Sequence, residues 1–472
     1  VMFYQLIIVL CCLYVLWRSW SKKQSASDPP ELSGKLPIVG HAYKLIGDGV
    51  KMYRSVKEMS NEFLQKDGLV TWSMGPRKVY AAVDPEDCLT MANKCLQKAY
   101  FYNFIKPYFG DGLVTADATT WKKTRKLLNP AFNQTVLDGF IEVFNTQALS
   151  LVDQFAIEVW KPFDHGRLLR INTLETICTT ALGVDPSKYN DLREQYLPRL
   201  IKLFNIFIER ILKFWLHSDF IFNMSQLKIK QDEQLAYILA LSRSVGKFKS
   251  FIDLILDLAD GDDTGHFTDE HIRAEIDTII SAGHDTTAYL LTFALTTLGS
   301  RDDVQEKAYN EVLHVLGKEQ RIINKEDLSK LVYIDAVLKE TLRLYPIIPV
   351  IGRCIDNDVK LRNYTINANN ECFISTGGMN RHSIWGPDAD QFRPERWLDK
   401  ETLPDPKYFG GFGVGRRSCI GKAYAMMSMK ITLAHVLRNY RVSADVSKMV
   451  VAMDIVIRPE SGHYATLLPR NA

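Results

Sequence analysis

The sequence predicts a mainly α-helical protein with small β-sheets, arranged as one large domain. Three observations predict this fold class. Apolar residues recur at helical spacing through most of the chain, strand-like alternation is limited to short segments, and no linker-like composition interrupts residues 41–472. We therefore expect a single helix-rich domain at 41–472.

Helices are predicted wherever apolar residues follow a period near 3.6. The longest such segment, 268–299, would be about 50 Å long. Thr268 is a candidate N-cap for it, and Asp269 and Glu270 in the first turn suit the positive end of the helix dipole. The predicted helices are 51–66, 85–97, 118–128, 134–160, 192–215, 268–299, 302–316, 331–344 and 420–438.

Strand-like segments are few. Residues 69–74 and 78–83 flank Gly75-Pro76, which predicts a hairpin. Shorter alternating pieces occur between 354 and 377 and after 448. We expect small sheets beside a helical body.

Composition excludes several classes of protein. Of 472 residues, 46% are apolar and 24% are charged, which excludes a disordered chain, a collagen-like repeat and a polytopic membrane protein. The chain has 58 basic and 55 acidic residues and a net charge of +3, so its bulk charge gives no reason to expect nucleic acid. Its 8 cysteines are irregularly spaced without a CxxC pair, which favours a reducing compartment.

The N-terminus predicts a membrane anchor. Residues 1–17 carry no charge, and as a helix they would span about 25 Å. Arg18, Lys22 and Lys23 follow at once, so the rest of the chain should lie on the cytosolic side. The alternative is a cleaved signal peptide, but there the basic residues precede the apolar run. We predict a retained transmembrane signal-anchor at 1–20.

The segment between anchor and domain predicts a hinge. Residues 21–40 concentrate Ser, Pro and Gly, and Pro29, Pro30 and Pro37 would hold them extended. A mitochondrial presequence would be Arg-rich and amphipathic, unlike residues 1–17. We therefore expect the endoplasmic reticulum membrane, with a single pass and a cytosolic catalytic domain.

One cysteine lies in an unusual local sequence. The segment FGVGRRSCIG places Phe412, Gly415, Arg417, Cys419 and Gly421 at fixed offsets. The glycines would let the backbone approach a flat ligand and point amides at sulfur, with Phe412 packed beneath the ligand. Arg417 would attract a carboxylate of that ligand and favour the thiolate. The alternative is that Cys419 only packs.

This decapeptide resembles the haem-thiolate loop of the cytochrome P450 superfamily. The resemblance implies a large helix-rich fold in which Cys419 is the axial ligand of haem iron. It implies a monooxygenase that inserts one atom of O2 into a small apolar substrate, with electrons from NADPH through a reductase. Cytochrome b5 is a second candidate donor.

The middle of the longest predicted helix, AGHDTT at 282–287, contains residues that disfavour a helix. Gly costs about 1 kcal/mol relative to Ala, and Thr can divert backbone hydrogen bonds. The segment resembles the distal helix of the superfamily, which implies that Asp285 relays protons and Thr286 donates a hydrogen bond through ordered water. Ala282 and Thr286 would face the haem, and Gly283 would make room for oxygen. The alternative is a glycine kept for helix packing and threonines bonded to their own helix.

The histidines show no zinc-like pairing, so we predict no second metal. His284 lies beside Asp285, and we expect it on the helix surface and not as a ligand.

Two further groups of charged residues fit the resemblance. Glu340 and Arg343 lie three apart on a predicted helix, and with Arg396 they would form a structural triad supporting the cysteine loop. Glu270 and Arg273 repeat the Glu-x-x-Arg pattern without the surrounding prolines and tryptophan. The residues implied to hold the haem propionates are Trp121, Arg125, Arg353 and Arg417, with His382 as a weaker addition.

A basic helix face lies close to these residues in sequence. Lys122, Lys123 and Lys126 could receive an acidic electron donor, and the alternative is a solvated charged surface.

Longer motifs narrow the resemblance. HDTTA, LSKLVYIDAVLKETLRLYP and PVIGR resemble the microsomal fatty-acid omega-hydroxylase branch and its insect relatives. Many members of that branch carry a glutamate before the glycine of AGHDTT, esterified to a haem methyl. Here the position is Ala282, which implies a non-covalently bound haem b.

The sequence does not identify the chemical class of the substrate. By resemblance, residues 99–116 and 196–224, rich in Phe, Tyr, Ile and Leu, would cover an apolar pocket. Composition does not separate a fatty acid from a terpenoid, a steroid or a xenobiotic. Two other functions remain, a haem-thiolate isomerase or peroxide-rearranging enzyme and a non-catalytic haem-binding protein.

Overall fold

The computed structural model describes residues 28–75, 77–183, 195–244, 268–317 and 321–470, together with residues 7, 11, 12 and 14. Apart from those four residues, the predicted anchor at 1–20 lies outside the described residues, as does the first part of the predicted hinge. Within the part of the chain that is described, no helix is long and apolar enough to cross a bilayer.

The fold is helix-rich with small sheets, as predicted, and forms a single domain. The helices are α1 (Gly49–Gln65), α2 (Pro85–Lys94), α3 (Lys106–Phe109), α4 (Ala118–Leu128), α5 (Gln134–Asp138), α6 (Ile141–Ala156), α7 (His165–Leu182), α8 (Leu197–Leu212), α9 (Asp219–Asn223), α10 (Gln226–Ser244), α11 (Asp269–Gly299), α12 (Asp302–Leu316), α13 (Lys325–Lys330), α14 (Val332–Leu344), α15 (Thr376–Met379) and α16 (Lys422–Asn439).

The strands form one larger sheet and three two-stranded sheets. The larger sheet has the order β1-β2-β6-β3, with β2 and β6 parallel and the other pairs antiparallel. The small sheets pair β4 with β5, β7 with β10 and β8 with β9. The strands are β1 (Leu69–Met74), β2 (Arg77–Ala82), β3 (Val350–Ile355), β4 (Val359–Lys360), β5 (Thr365–Ile366), β6 (Asn370–Ser375), β7 (Tyr440–Ala444), β8 (Val450–Met453), β9 (Ile457–Ser461) and β10 (Ala465–Pro469).

Most predicted elements are present with small shifts. The predicted hairpin is β1 and β2, and Thr268 caps α11 by accepting a hydrogen bond from the backbone N–H of His271. The predicted helix 134–160 is divided into α5 and α6. Two long helices, α7 and α10, were not predicted. In α7 buried residues lie on nearly every side, so it lacks the one-sided apolar spacing that the sequence reading used.

α11 runs through the centre of the molecule. It packs against α7, α14 and β7, and most of its residues after Ala274 are buried. Residues on both faces of α11 are therefore enclosed, and this helix forms one wall of the site described next.

Candidate active site

An internal cavity of about 480 Å³ lies between α11 and the loop that precedes α16. Its volume is typical of a ligand-binding pocket. The loop contributes Cys419 and Phe412, and α11 contributes Ala282, Gly283 and Thr286. The sequence-predicted cysteine and the predicted distal helix therefore face the same space.

Cys419 presents its sulfur to this cavity. The side chain has a large exposed area and lines the cavity. Burial raises the pKa of the Cys419 thiol, while a hydrogen bond from the backbone N–H of Gly421 and the charges of Arg125 and Lys422 act in the opposite direction. All 8 cysteines are free.

The loop glycines have different roles from one another. Gly421 fits the sequence expectation, because a Cβ there would find only the sulfur of Cys419, at 3.9 Å. The expectation for Gly415 is corrected: it is not among the cavity-lining residues. Its φ is 69°, and a Cβ would lie 2.7 Å from the Cβ of Ala92 in α2. Gly415 is required by the turn and by the close packing of α2.

Buried cations lie together along the cavity wall. Arg417 donates to the carbonyl oxygen of Ala116 at 2.8 Å and lies 4.7 Å above the Trp121 ring. Its Nε and Nη1 atoms, and Nε of Arg353, have no hydrogen-bond partner among the described residues. Burial and the charge of Arg353 lower the pKa of Arg417 to about 9. Unpaired buried donors of this kind fit the carboxylates of a haem.

Lys98 belongs to the same group and was not predicted. It lies in a β-bridge with Arg353, lines the cavity, and holds its Nζ atom 4.3 Å from the centre of the Tyr102 ring. Burial, together with the charges of Arg353 and Arg417, holds the pKa of Lys98 well below its usual range. No motif surrounds Lys98, so sequence reading had no signal for it.

Arg125 and His382 differ from what the resemblance implies. Arg125 lines the cavity, but it also donates to the carbonyl oxygen of Ser418 at 2.8 Å and so supports the cysteine loop directly. His382 does not line the cavity. Its Nε2 lies 3.7 Å from a carboxylate oxygen of Asp84, and the expectation that it contacts a propionate is wrong.

The unusual residues of α11 do not interrupt the helix. The Thr286 hydroxyl donates to the carbonyl oxygen of Ala282 at 2.6 Å, the helix-bonded arrangement that the alternative interpretation described. Gly283 serves packing as well as the cavity, because a Cβ there would lie 2.8 Å from the side chain of Ile177 in α7. Thr286 and Ala282 both face the cavity, as their spacing predicts.

His284 and Asp285, the residues before Thr286, lie behind the cavity wall formed by α11. Asp285 is buried and is not among the cavity-lining residues. His284 is fully buried, so the expectation of a helix-surface residue is wrong. The reason is that α11 is enclosed on both faces and presents no solvent side at this point. The described residues contain no cluster of His, Cys, Asp and Glu that could hold a metal ion.

The Glu-x-x-Arg pattern of Glu340 and Arg343 forms a fully buried ion cluster. Glu340 accepts two hydrogen bonds from Arg343, at 2.8 and 2.9 Å, and one from Arg396 at 3.3 Å. The backbone N–H of Arg393 and the indole of Trp397 also donate to it. In the second copy of the pattern Arg273 lies instead near Asp277, at 4.0 Å.

A single asparagine connects this cluster to the cysteine loop. Arg343 donates to the carbonyl oxygen of Asn380 at 2.8 Å, and the Asn380 side chain accepts from the backbone N–H of Gly410 at 2.9 Å. Trp397 in turn packs edge-on against Phe409, with ring centres 4.8 Å apart. The ion cluster therefore fixes the start of the loop that carries Cys419.

The two segments expected to cover an apolar pocket both contribute to it. Phe101, Ile105 and Leu113 come from 99–116, and Ile208 and Ile211 come from 196–224. Tyr108 and Phe207 pack in the core instead. An unpredicted part of the wall comes from α1 and β1, through Met52, Val56, Met59, Phe63 and Trp72.

A helix-rich domain with a loop cysteine facing an enclosed apolar cavity, opposite one long helix, defines the general class. The family model of cytochrome P450 matches residues 29–465. Human cytochrome P450 4V2 is 28% identical over 96% of this chain and 92% of its own length. Probable cytochrome P450 312a1 of Drosophila melanogaster is 31% identical, covering 86% of each chain, and cytochrome P450 4c21 of Blattella germanica is 27% identical, covering 92% and 91%.

This chain belongs to the cytochrome P450 family. The predictions of a P450-type monooxygenase and of its branch with insect relatives are confirmed. Membership implies a haem iron with a cysteine thiolate ligand, a redox partner, O2 and an apolar substrate.

Proposed function

We propose that this chain is a membrane-anchored monooxygenase that inserts one oxygen atom from O2 into an apolar substrate. Electrons come from NADPH through a reductase, with cytochrome b5 as a second candidate donor. The observation that carries the proposal is the sulfur of Cys419 facing an apolar cavity with unpaired cations on its wall. When bound there, a haem b supplies the one-electron chemistry and the oxygen-binding iron.

The residues around the cysteine divide into holding and supporting groups. Cys419 ligates the iron, with the Gly421 amide on its sulfur and Phe412 against the ring. Trp121, Arg353 and Arg417 hold the propionates together with Lys98, and Arg125 holds both a propionate and the loop. Glu340, Arg343 and Arg396 act only as structural support.

On the opposite wall, Thr286 and Asp285 handle protons. Thr286 offers its hydroxyl to the cavity through water, and Asp285 relays protons from behind the helix. Ala282 places only a methyl group where an ester link to haem would need a carboxylate. Acidified organic solvent should therefore extract all of the haem, whereas haem left on the polypeptide would refute non-covalent binding.

The cavity favours a long apolar substrate. Aliphatic, aromatic and methionine side chains of α1 and α8 line it, and its carboxylate, Asp454, is paired with Arg458 at 3.2 Å. We propose fatty acids as the first class to test, followed by terpenoids, steroids and xenobiotics.

Attachment to the endoplasmic reticulum membrane has two supports. The uncharged residues 1–17 are followed by basic residues, and 41–472 is proposed as the cytosolic catalytic domain joined by the hinge 21–40. Between α8 and α10, Trp215, Phe220 and Met224 are 47%, 75% and 76% exposed, a group of apolar side chains that suits a lipid surface. Exposed Lys122, Lys123 and Lys126 on α4 suit an acidic redox partner.

Two measurements test the proposal, the spectrum of the reduced carbonyl complex and the product of turnover. Cys419→Ser should abolish the red-shifted Soret band of the reduced carbonyl complex and all turnover, while Cys88→Ser, at a buried cysteine outside the cavity, should leave both intact. An unchanged spectrum in Cys419→Ser would refute the ligand assignment. Product formation without NADPH would favour the isomerase or peroxide-rearranging alternative, and haem binding without turnover would favour the non-catalytic one.

A further inference from the structure

His284 and Asp285 form a buried pair beside the cavity wall. Nδ1 of His284 lies 2.8 Å from the carbonyl oxygen of Ile280. Nε2 lies 3.3 Å from Oδ1 of Asp285, and the two side chains are 0% and 9% exposed. Nε2 makes no hydrogen bond among the described residues, so its approach to Asp285 is an ion-pair contact. The imidazole is therefore held between one carbonyl and one carboxylate.

The two contacts of the imidazole favour one protonation state. A carbonyl oxygen can only accept, so Nδ1 must carry a hydrogen. In a neutral imidazole Nε2 would then be bare, and its lone pair would face the carboxylate oxygen of Asp285. That contact is repulsive in a buried site. The 3.3 Å contact therefore favours a second hydrogen on Nε2, which gives an imidazolium beside the Asp285 carboxylate.

The charges around the pair agree with this protonation state. Burial lowers the pKa of His284, but the adjacent Asp285 outweighs it, and the pKa is raised above its ordinary value. By contrast, burial lowers the pKa of His165 and of His435 to about 4. At His165 burial and the charge of His463 outweigh the adjacent Asp164, and at His435 burial acts together with the charge of Arg438.

Groups on other elements face the pair as well. Arg170 of α7 opposes protonation of His284. Thr173 donates to the backbone carbonyl oxygen of His284 at 3.0 Å, and the Tyr196 ring centre lies 6.3 Å from the imidazole. Tyr289, Asp454 and Arg458 interact electrostatically with Asp285 or with one another on its other side. Among these groups Asp285 is the carboxylate in ion-pair contact with the imidazole, at 3.3 Å.

We propose that His284 is a positioning residue that holds a proton beside Asp285, ready for delivery to the cavity. The inference rests on the proposed function, in which Asp285 and Thr286 supply protons. The hydrogen on Nε2 moves to the Asp285 carboxylate, which then releases it toward the cavity, and Nδ1 keeps its bond to Ile280. One proton leaves the pair, no electrons move, and the pair takes up one proton from water before the next delivery.

The first test measures peroxide released per NADPH consumed by the holoenzyme across pH 6 to 9. His284→Gln should raise this ratio at least threefold at pH 7, because protons reach the oxygen site less reliably. In the unmodified enzyme the ratio should rise only above the raised pKa of His284, and this pH dependence should vanish in the variant. His435→Gln, at a buried histidine without a carboxylate partner, is the matched control and should behave like the unmodified enzyme.

The second test is ¹⁵N NMR of the histidine-labelled, reduced carbonyl holoenzyme. At pH 7.5 we expect one imidazolium signal that is lost in His284→Gln and kept in His435→Gln. Asp285→Asn should convert it to a neutral imidazole, which keeps the test decisive if His284→Gln fails to fold. A neutral His284 in the unmodified enzyme, or an unchanged peroxide ratio in His284→Gln, would overturn the inference. Absence of the thiolate haem spectrum in the unmodified enzyme would instead contradict the proposed function.

Discussion

The two walls of the cavity are built in opposite ways. Beside the cysteine loop, the charges of Arg343 and Arg396 are matched by Glu340 and Asp388, and every side-chain nitrogen of both arginines donates a hydrogen bond. On α11, buried polar atoms stay without a hydrogen bond among the described residues. They are Arg273 Nε, Glu275 Oε1, Asp277 Oδ2, Thr278 Oγ1, His284 Nε2 and Thr297 Oγ1.

The difference gives the two regions different properties: the ion cluster is rigid, whereas the buried acids of α11 titrate. A matched ion cluster has one low-energy geometry and holds the cysteine loop through Asn380. Unmatched acids titrate close to neutral pH: burial raises the pKa of Glu275 to about 8 and that of Asp277 to about 7. The chain thus keeps a matched cluster behind the cysteine loop, unpaired cations at Arg353 and Arg417 on the cavity wall, and proton-holding groups on the side of Thr286.

The largest effect is expected from disrupting the ion cluster of Glu340, Arg343 and Arg396. Glu340→Gln leaves two buried arginines facing a neutral amide, which should cost about 3–5 kcal/mol of unfolding free energy. Denaturant unfolding of the holoenzyme measures it. Glu270→Gln, in the second Glu-x-x-Arg pattern at the exposed start of α11, should cost less than about 1 kcal/mol. Equal costs in the two variants would contradict the proposed support role.

A smaller effect, which depends on pH, is expected from Glu275, one of the buried acids of α11. The Glu275 side chain is 0% exposed, accepts from the backbone N–H of Leu113 at 3.2 Å and lies 3.6 Å from His271. Because its folded-state pKa of about 8 exceeds the ordinary 4.5, its contribution is present below pH 4.5 and lost as the pH rises through 8.

Glu275→Gln should therefore gain stability relative to the unmodified protein between about pH 5 and 9, on the order of 2–4 kcal/mol. Denaturant unfolding at several pH values measures the difference. Asp269→Asn, in the exposed first turn of α11, is the control and should show no such slope. A constant difference between Glu275→Gln and the unmodified protein would show that Glu275 is not protonated in the fold.

The smallest effect is expected from Thr286→Ala. The helix keeps its backbone bonds without this hydroxyl, but the cavity loses a polar group, so peroxide released per NADPH should rise roughly three- to tenfold. Thr292→Ala is the control, because Thr292 makes the same bond to its own helix outside the cavity. Undiminished yield of product in Thr286→Ala would remove its assigned role.

The sequence predicts those elements whose apolar spacing or capping residues are distinctive. α4, α11, α12 and the β1–β2 hairpin lie within a few residues of their predicted limits because their spacing or caps are distinctive. α7 was missed because it is buried almost all round. Enclosure also explains the error at His284, since no sequence pattern shows that a helix has no solvent side.

Site prediction depended on motifs. Cys419, Ala282 and Thr286 lie at the cavity as the motifs predict, because their spacing is fixed within a single loop or helix. Lys98 reaches the cavity only through its bridge to Arg353, a contact between distant parts of the chain that no local pattern encodes. Gly415 was read as facing a ligand, whereas its neighbour is Ala92 of α2.

The parallel pairing of β2 with β6 has a consequence for biosynthesis. Val79 pairs with Glu371, roughly 300 residues further on. At a ribosomal rate of about 5–20 residues per second, the hairpin waits some 15–60 seconds with one edge unpaired. Nascent chains of this protein are thus at greatest risk of aggregation before strand β6 emerges, and shielding of that edge by a chaperone during translation should raise the yield of folded protein.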